Sequence, residues 1–145
     1  MFKVSDPEFK ERILSYLKGQ RFMLHNNMRV TDIQPGRVTA ELSLEEIHHQ
    51  QFGRVHGGVI TTLADIVAGF AAYTLVDKDT HVVTGEIKVS FFRPAKGKEL
   101  KSIGTVIKTG TKLSFCEAEV YSVDNGNILI AKASTTMIHI PLDQG

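Results

Sequence analysis

Between His56 and Val76 the chain carries one charged side chain, Asp65, and this stretch constrains the fold more than any other. It reads HGGVITTLADIVAGFAAYTLV. A helix that is apolar on nearly every face belongs inside a core. The run is long enough to cross a bilayer. Asp65, the two glycines at its start and its threonines oppose that, and the rest of the chain supplies amphipathic strands that need something to wrap around. A carboxylate in such a helix is costly unless it is paired, hydrated or put to use. Gly57 and Gly58 stand where the helix must begin. They leave backbone N–H groups at its positive end, with no side chain to obstruct a ligand. An anion-stabilising end and an acid on one rod are the equipment of acyl transfer.

The remaining composition sets limits. At 145 residues the chain is read as one domain, 1–145, large enough to bury a core. A net charge of +1 writes no general attraction to nucleic acid or to an anionic membrane into the balance. A single cysteine, Cys116, excludes an intrachain disulfide and suits a reducing compartment. Lying in a strand-like run, it reads as a packed, inert thiol. The first residues carry Asp6, Glu8 and Glu11 and no apolar run, so they do not read as a secretory signal, and a cytoplasmic location is expected.

Punctuation and periodicity divide the chain into elements. Asp6-Pro7 suits a helix start, Phe9, Ile13, Leu14 and Leu17 recur at helical spacing, and Gly19 is a stop, giving an N-terminal covering helix within residues 1–22. Strands are expected over Met28 to Ile33 and Arg37 to Leu44, turning at Gln34-Pro35-Gly36. His48 to Val55 is polar and irregular, and leads into a central helix over residues 57–76 that Asp77-Lys78-Asp79 closes. Four strands follow, over His81 to Phe92, Leu100 to Thr109, Leu113 to Val123 and Ile128 to Ile140, with a hairpin turn at Asp124-Asn125-Gly126. The fold class is therefore α+β, a largely antiparallel sheet wrapped around one long central helix. A single sheet covers one side of that helix, and a second subunit can cover the rest.

The chemistry places a demand on assembly. A carbonyl under attack becomes an oxyanion, and a preorganised backbone donor is worth about two to three powers of ten in rate. From Gly57 to Asp65 the helix rises about 12 Å, whereas reacting groups must lie roughly 3 Å from one carbonyl. One chain's Asp65 cannot easily serve its own Gly57; two antiparallel helices from two subunits can bring the pair together. Asp65 also has a bland reading, as a structural acid bonded to a neighbouring hydroxyl. His56 can orient the loop or bond near the substrate, and is a weaker choice as general base. A metal site is not expected: His48 and His49 are adjacent, His56 is distant, and no His-Glu-x-x-His or Cys pair occurs. The nucleophile-elbow, P-loop and dinucleotide fingerprints are also missing.

The segment Gln50-Gln51-Phe52-Gly53-Arg54-Val55-His56-Gly57-Gly58, continued through Thr62-Leu63-Ala64-Asp65 and followed by four strands, resembles the hotdog-fold acyl-CoA thioesterases, in particular the PaaI-like (phenylacetate-degradation) group. The resemblance covers nearly the whole chain after about Met23. It implies that the Gly57 N–H polarises the thioester carbonyl, with Gly58 beside it, and that Asp65 is nucleophile or general base. It implies that the side-chain amide of Gln50 lies near the thioester. That amide is Asn in many PaaI-like members; Gln is found in related aroyl-CoA thioesterases, which usually pair it with Glu where this chain has Asp65. Thr84 matches a position where some relatives place Ser or Thr beside the acid. Its parity opposes Ile87 and Val89, so it faces the helix only if the strand is bulged, for instance at Gly85.

The substrate implied is an acyl-CoA or aroyl-CoA, with coenzyme A part of the substrate and no separate cofactor. Its phosphates call for basic residues at the mouth of the site, and Arg93 and Lys96 around Pro94 are the better cluster. A homodimer is required for the site, and a homotetramer built as a dimer of dimers is expected. Ala68, Gly69, Ala71 and Ala72 leave space along the helix for the acyl group. Two other functions are compatible with the fold: dehydration or hydration of a 3-hydroxyacyl thioester, whose usual histidine motifs are missing, and non-catalytic acyl-CoA binding.

Overall fold

The computed structural model describes residues 1–124 and 126–143. Residues that alternate between apolar and polar form six strands: β1 (Met28–Gln34), β2 (Arg37–Ser43), β3 (Thr80–Phe91), β4 (Glu99–Thr109), β5 (Leu113–Ser122) and β6 (Ile128–Pro141). They build one sheet in the order β1-β2-β4-β5-β6-β3, with every neighbouring pair antiparallel. On β5, Ser114, Cys116, Ala118, Val120 and Ser122 are buried and the residues between them are not, the signature of a sheet with one covered face.

The covering element is the long helix α3 (Gly57–Tyr73). Leu63, Ala64, Val67, Ala68, Ala71 and Ala72 are fully buried, and α3 packs chiefly on β2, β4 and β5. The opposite stripe of the same helix, Gly58, Thr62, Asp65, Ile66, Gly69 and Tyr73, remains exposed or half-buried. A helix apolar on nearly every face is thus covered by its own chain on one side only. The arrangement is the α+β hotdog fold, one central helix wrapped by an antiparallel sheet.

The N-terminal helix is two helices, α1 (Phe9–Lys18) and α2 (Arg21–His25), because the chain turns at Gly19-Gln20. Asp6 does accept a hydrogen bond from the Glu8 N–H at 2.9 Å, but regular helix begins only at Phe9. Phe9 and Ile13 bury α1 against the body of the domain. Arg12 reaches from α1 to the end of α3, donating to the carbonyls of Tyr73 and Val76, where the last carbonyls lack intrahelical donors.

That end comes earlier than Asp77-Lys78-Asp79. The hydroxyl of the buried Thr74 donates to the Ala71 carbonyl and accepts from the Gly36 N–H, tying the helix terminus to the Pro35-Gly36 turn between β1 and β2. The stretch after β2 is less irregular than its polarity predicts, since Glu46–His48 forms a 3₁₀ turn with His48 fully buried. The expected turn at Asp124-Asn125-Gly126 falls partly outside the described residues, at Asn125. No helix among the described residues is long and apolar enough to cross a membrane.

Candidate active site

His56 is the N-cap of α3, and its Nδ1 accepts from the Gly58 N–H at 2.8 Å. The N–H groups of Val59 and Ile60 go to the His56 carbonyl. Of the N–H groups at the helix start, that of Gly57 finds no acceptor among the described residues. The pair of glycines therefore presents one open donor rather than two. A neutral His56 accepting at Nδ1 carries its proton on Nε2, so toward a ligand it offers a donor and not a base.

The loop that aims this helix is pinned from below. The His56 N–H donates to the His48 carbonyl at 2.8 Å. His48 in turn accepts at Nδ1 from the Glu45 N–H at 2.8 Å and donates from Nε2 to the Asn26 carbonyl at 2.9 Å. Between them the chain doubles back at Gln50–Arg54, where Gly53 has φ +72°, a conformation that suits glycine. Sequence reasoning weighed His48 only as a metal ligand; its spacing to Glu45 was the available sign of a capping role.

Gly57 opens onto a cleft of about 380 Å³ that it shares with Gln50, Arg54, Phe91, Phe92 and Arg93. Three predicted residues, Gly57, Gln50 and Arg93, are thus brought together. The Gln50 side-chain oxygen accepts from the Phe52 N–H, leaving its NH₂ as the free donor. Arg54 adds a second cation that the sequence did not single out. Lys96 does not line this cleft; it is exposed, and its carbonyl accepts from the Ser122 hydroxyl.

Asp65 lies two turns along α3, in a different cleft of about 310 Å³. It is half-buried rather than enclosed. The Thr84 hydroxyl donates to its Oδ1 at 2.6 Å, and its Oδ2 has no partner among the described residues. Thr84 reaches the helix because the β3–β6 register slips between Thr84 and Glu86. That bulge at Gly85 places Thr84 on the same face as Ile87 and Val89 despite its parity. Gln20 and Phe22 at α2, with Tyr73 and Val82, close the sides of this cleft and were not anticipated.

The two clefts differ in character: one has an open amide donor with cations near it, the other a carboxylate with one oxygen bonded by Thr84 and one free. Along α3 they are separated by about 12 Å. Among the described residues no group of three or more His, Cys, Asp or Glu side chains is placed to hold a metal ion. Cys116 is buried and desolvated, which pushes its thiol up to about 11 and keeps it protonated and out of the chemistry.

Comparison with known proteins agrees with this fold. The family model of the thioesterase superfamily matches residues 52–129, which include the start of α3, Asp65 and Thr84. A thioesterase family protein from Silicibacter pomeroyi superposes with a TM-score of 0.89 at 28% identity, covering 92% of this chain and 98% of that one. The E. coli PaaI protein of the phenylacetic acid degradation operon has a TM-score of 0.82 over 92% of this chain and 94% of that one; at 13% identity it speaks for the fold alone. Acyl-coenzyme A thioesterase 13 of Homo sapiens is 25% identical over 122 residues, 83% of this chain and 86% of the human protein.

Proposed function

Because the chain belongs to the thioesterase superfamily, we propose that it hydrolyses an acyl- or aroyl-CoA thioester to the free acid and CoA, at a site shared between two subunits. The human relative is an acyl-coenzyme A thioesterase, which supports the choice of CoA thioester. The observation that carries the reading is the state of Asp65: one oxygen held by Thr84 at 2.6 Å, the other free in a cleft. An oxygen left free to face the cleft is what a base or a nucleophile at this position needs.

In the site so formed, Gly57 of one subunit donates to the thioester oxygen and Asp65 of the other acts on the carbonyl carbon from the opposite helix. Acting as base, Asp65 takes a proton from water as the water oxygen bonds to the carbonyl carbon. The C–S bond then breaks, and the departing CoA sulfur recovers a proton. Acting as nucleophile, the carboxylate itself bonds to the carbonyl carbon and expels the CoA thiolate, and water cleaves the resulting anhydride. Either route develops negative charge on the thioester oxygen, which the open Gly57 N–H would stabilise. Gln50, Arg54 and Arg93 share the Gly57 cleft, which supports Gln50 binding the same group and the two arginines meeting CoA phosphate.

A homodimer is thereby part of the site. Outer-face residues Val83, Ile107, Leu113, Phe115 and Ile138 remain exposed, which supports a further pairing into a dimer of dimers.

The test is subunit complementation. Gly57→Pro deletes the donor at a position that tolerates proline: His56 has φ −63° and ψ 135°, and the nearest atom to a Gly57 Cβ is a Phe91 ring carbon at 3.5 Å. Asp65→Asn deletes the acid. Each alone is expected to be inactive and folded. Mixed one to one with subunit exchange verified by mass spectrometry, half the dimers should be heterodimers with one intact site, and roughly a quarter of parental activity should return. Verified heterodimers without recovered activity would refute the shared site.

A further inference from the structure

We infer that Gly69 sets the size of the acyl group accepted beside Asp65, an inference that rests on the thioesterase reading above. A glycine in mid-helix destabilises the helix relative to alanine, so its presence calls for a reason. Contacts among the described residues supply none: a Cβ at Gly69 meets no heavy atom of theirs within 4 Å. The other small residues of the helix are different. Ala68, Ala71 and Ala72 are fully buried, so they bring α3 close to the sheet and open no space for a ligand.

The open side of Gly69 is the wall of the 310 Å³ cleft that also holds Asp65 and Thr84. Asp65, Gly69 and Tyr73 follow at successive turns of α3, so Gly69 lies about 6 Å and Tyr73 about 12 Å beyond the acid along the helix axis. The cleft thus runs from the reacting group down the exposed stripe. Besides Asp65, Thr62 and Thr84 its lining holds Ile66, Phe70, Tyr73 and Val82, with the exposed Gln20 and Phe22 from the α2 segment. A cavity of about 150 Å³ suffices for benzene, so the space suits an aromatic ring or a medium aliphatic chain. A side chain at Gly69 would cut this trough one turn past the carbonyl. The substrates excluded would be those whose acyl group extends that far.

The competing explanation is that Gly69 admits a partner subunit's helix, and the test separates the two. Hydrolysis of acetyl-, butanoyl-, octanoyl- and phenylacetyl-CoA is measured for the parent, Gly69→Ala and Gly69→Leu, with the oligomeric state of each followed by light scattering. The expected result is a graded loss in kcat/KM for octanoyl- and phenylacetyl-CoA, several-fold for Ala and roughly tenfold to a hundredfold or more for Leu. Acetyl-CoA should stay within about twofold of the parent and the oligomer should be unchanged. Equal loss on every substrate, a changed oligomer, or an unaltered profile in Gly69→Leu would each overturn the assignment. If Gly69→Leu does not fold, Gly69→Ala decides, since alanine favours the helix. Binding of octanoate and phenylacetate is read in parallel from the backbone amide resonances of Gly69 and Phe22. Shifts are expected there in the parent and reduced shifts in the variants. A parent that binds these acids but turns over none of the thioesters would refute the hydrolytic reading alone. No shift at either amide would overturn the role of Gly69.

Discussion

Gly104→Ala is the smallest substitution with a large expected consequence. A Cβ at Gly104 would lie 2.3 Å from the Val67 carbonyl oxygen, 2.4 Å from its carbon and 2.7 Å from the Ala68 nitrogen. All three obstacles are helix backbone, so no side-chain rotation relieves the clash. Gly104 sits mid-sheet, paired with Val38 on β2 and Ala118 on β5, so the strand cannot bow away alone. The helix must retreat by about 1 Å to regain ordinary contact, and a gap of that size forfeits roughly a quarter to a half of the local dispersion energy. Overpacking a core costs about 1–3 kcal/mol. With a rigid obstacle and the loosened contacts of Leu63, Ala64, Val67 and Ala68, the upper end is expected, about 3 kcal/mol. At fixed protein concentration the urea midpoint should fall with little change in m, and Tm should drop by roughly 6–12 °C. The same retreat moves Asp65 relative to Thr84, so kcat should fall under conditions where the variant is still folded. A loss of stability below about 0.5 kcal/mol, the range of ordinary surface substitutions, would show that α3 does not depend on this close approach.

Two further outcomes follow from hydrogen bonds where the first half of β3 pairs with the end of β6. Thr84→Val keeps shape but removes the donor to Asp65; kcat should fall about tenfold or more, in line with a hydrogen bond to a charged group, and Thr84→Ser should restore it, whereas a Val variant as active as the parent would remove Thr84 from the site. Burial, opposed only in part by the Thr111 carbonyl and Asp77, pushes the His139 imidazole below its ordinary value, while Ser114 and Thr111 bond its ring. With a folded value below the unfolded one, His139 contributes stability that is fully present above pH about 6.5 and is lost as the pH falls through the folded value. Thermal melts from pH 7.5 downward should show that loss for the parent and a shallower one for His139→Gln; identical slopes would refute it.

What the sequence disclosed and what it withheld divide along the range of the interactions involved. Each strand was visible within one or two residues because alternation is written locally, and the start of α3 was visible because Gly57-Gly58 has no other economical use. The end of α3 was not, since Thr74 stops the helix through a bond to Gly36, thirty-eight residues away in sequence. Nor was the burial of His48, which depends on the carbonyl of Asn26. Thr84 shows how the two kinds of information combine. Strand parity alone points it away from the acid, and only a register slip at Gly85 returns it.

The same reasoning explains why the exposed stripe of α3 is the informative surface of the domain. A helix with only Asp65 charged could have been buried whole by its own sheet, yet six strands in a row leave Asp65, Ile66, Gly69 and Tyr73 partly open. Covering Ile66 and Tyr73 on that stripe favours association, because a large side chain fully removed from water is worth about 1.5–3 kcal/mol. An antiparallel partner helix laid against residues 57–65 of this one would set each Gly57 opposite the other chain's Asp65, spanning the 12 Å that one helix imposes and leaving Gly69 beyond its end. Under the proposed function, assembly and catalysis would draw on one feature of the sequence, a helix that its own chain covers on one side only. A dimer dissociated by dilution should accordingly lose turnover in step with its dissociation, with the Thr84–Asp65 pair still formed within each chain.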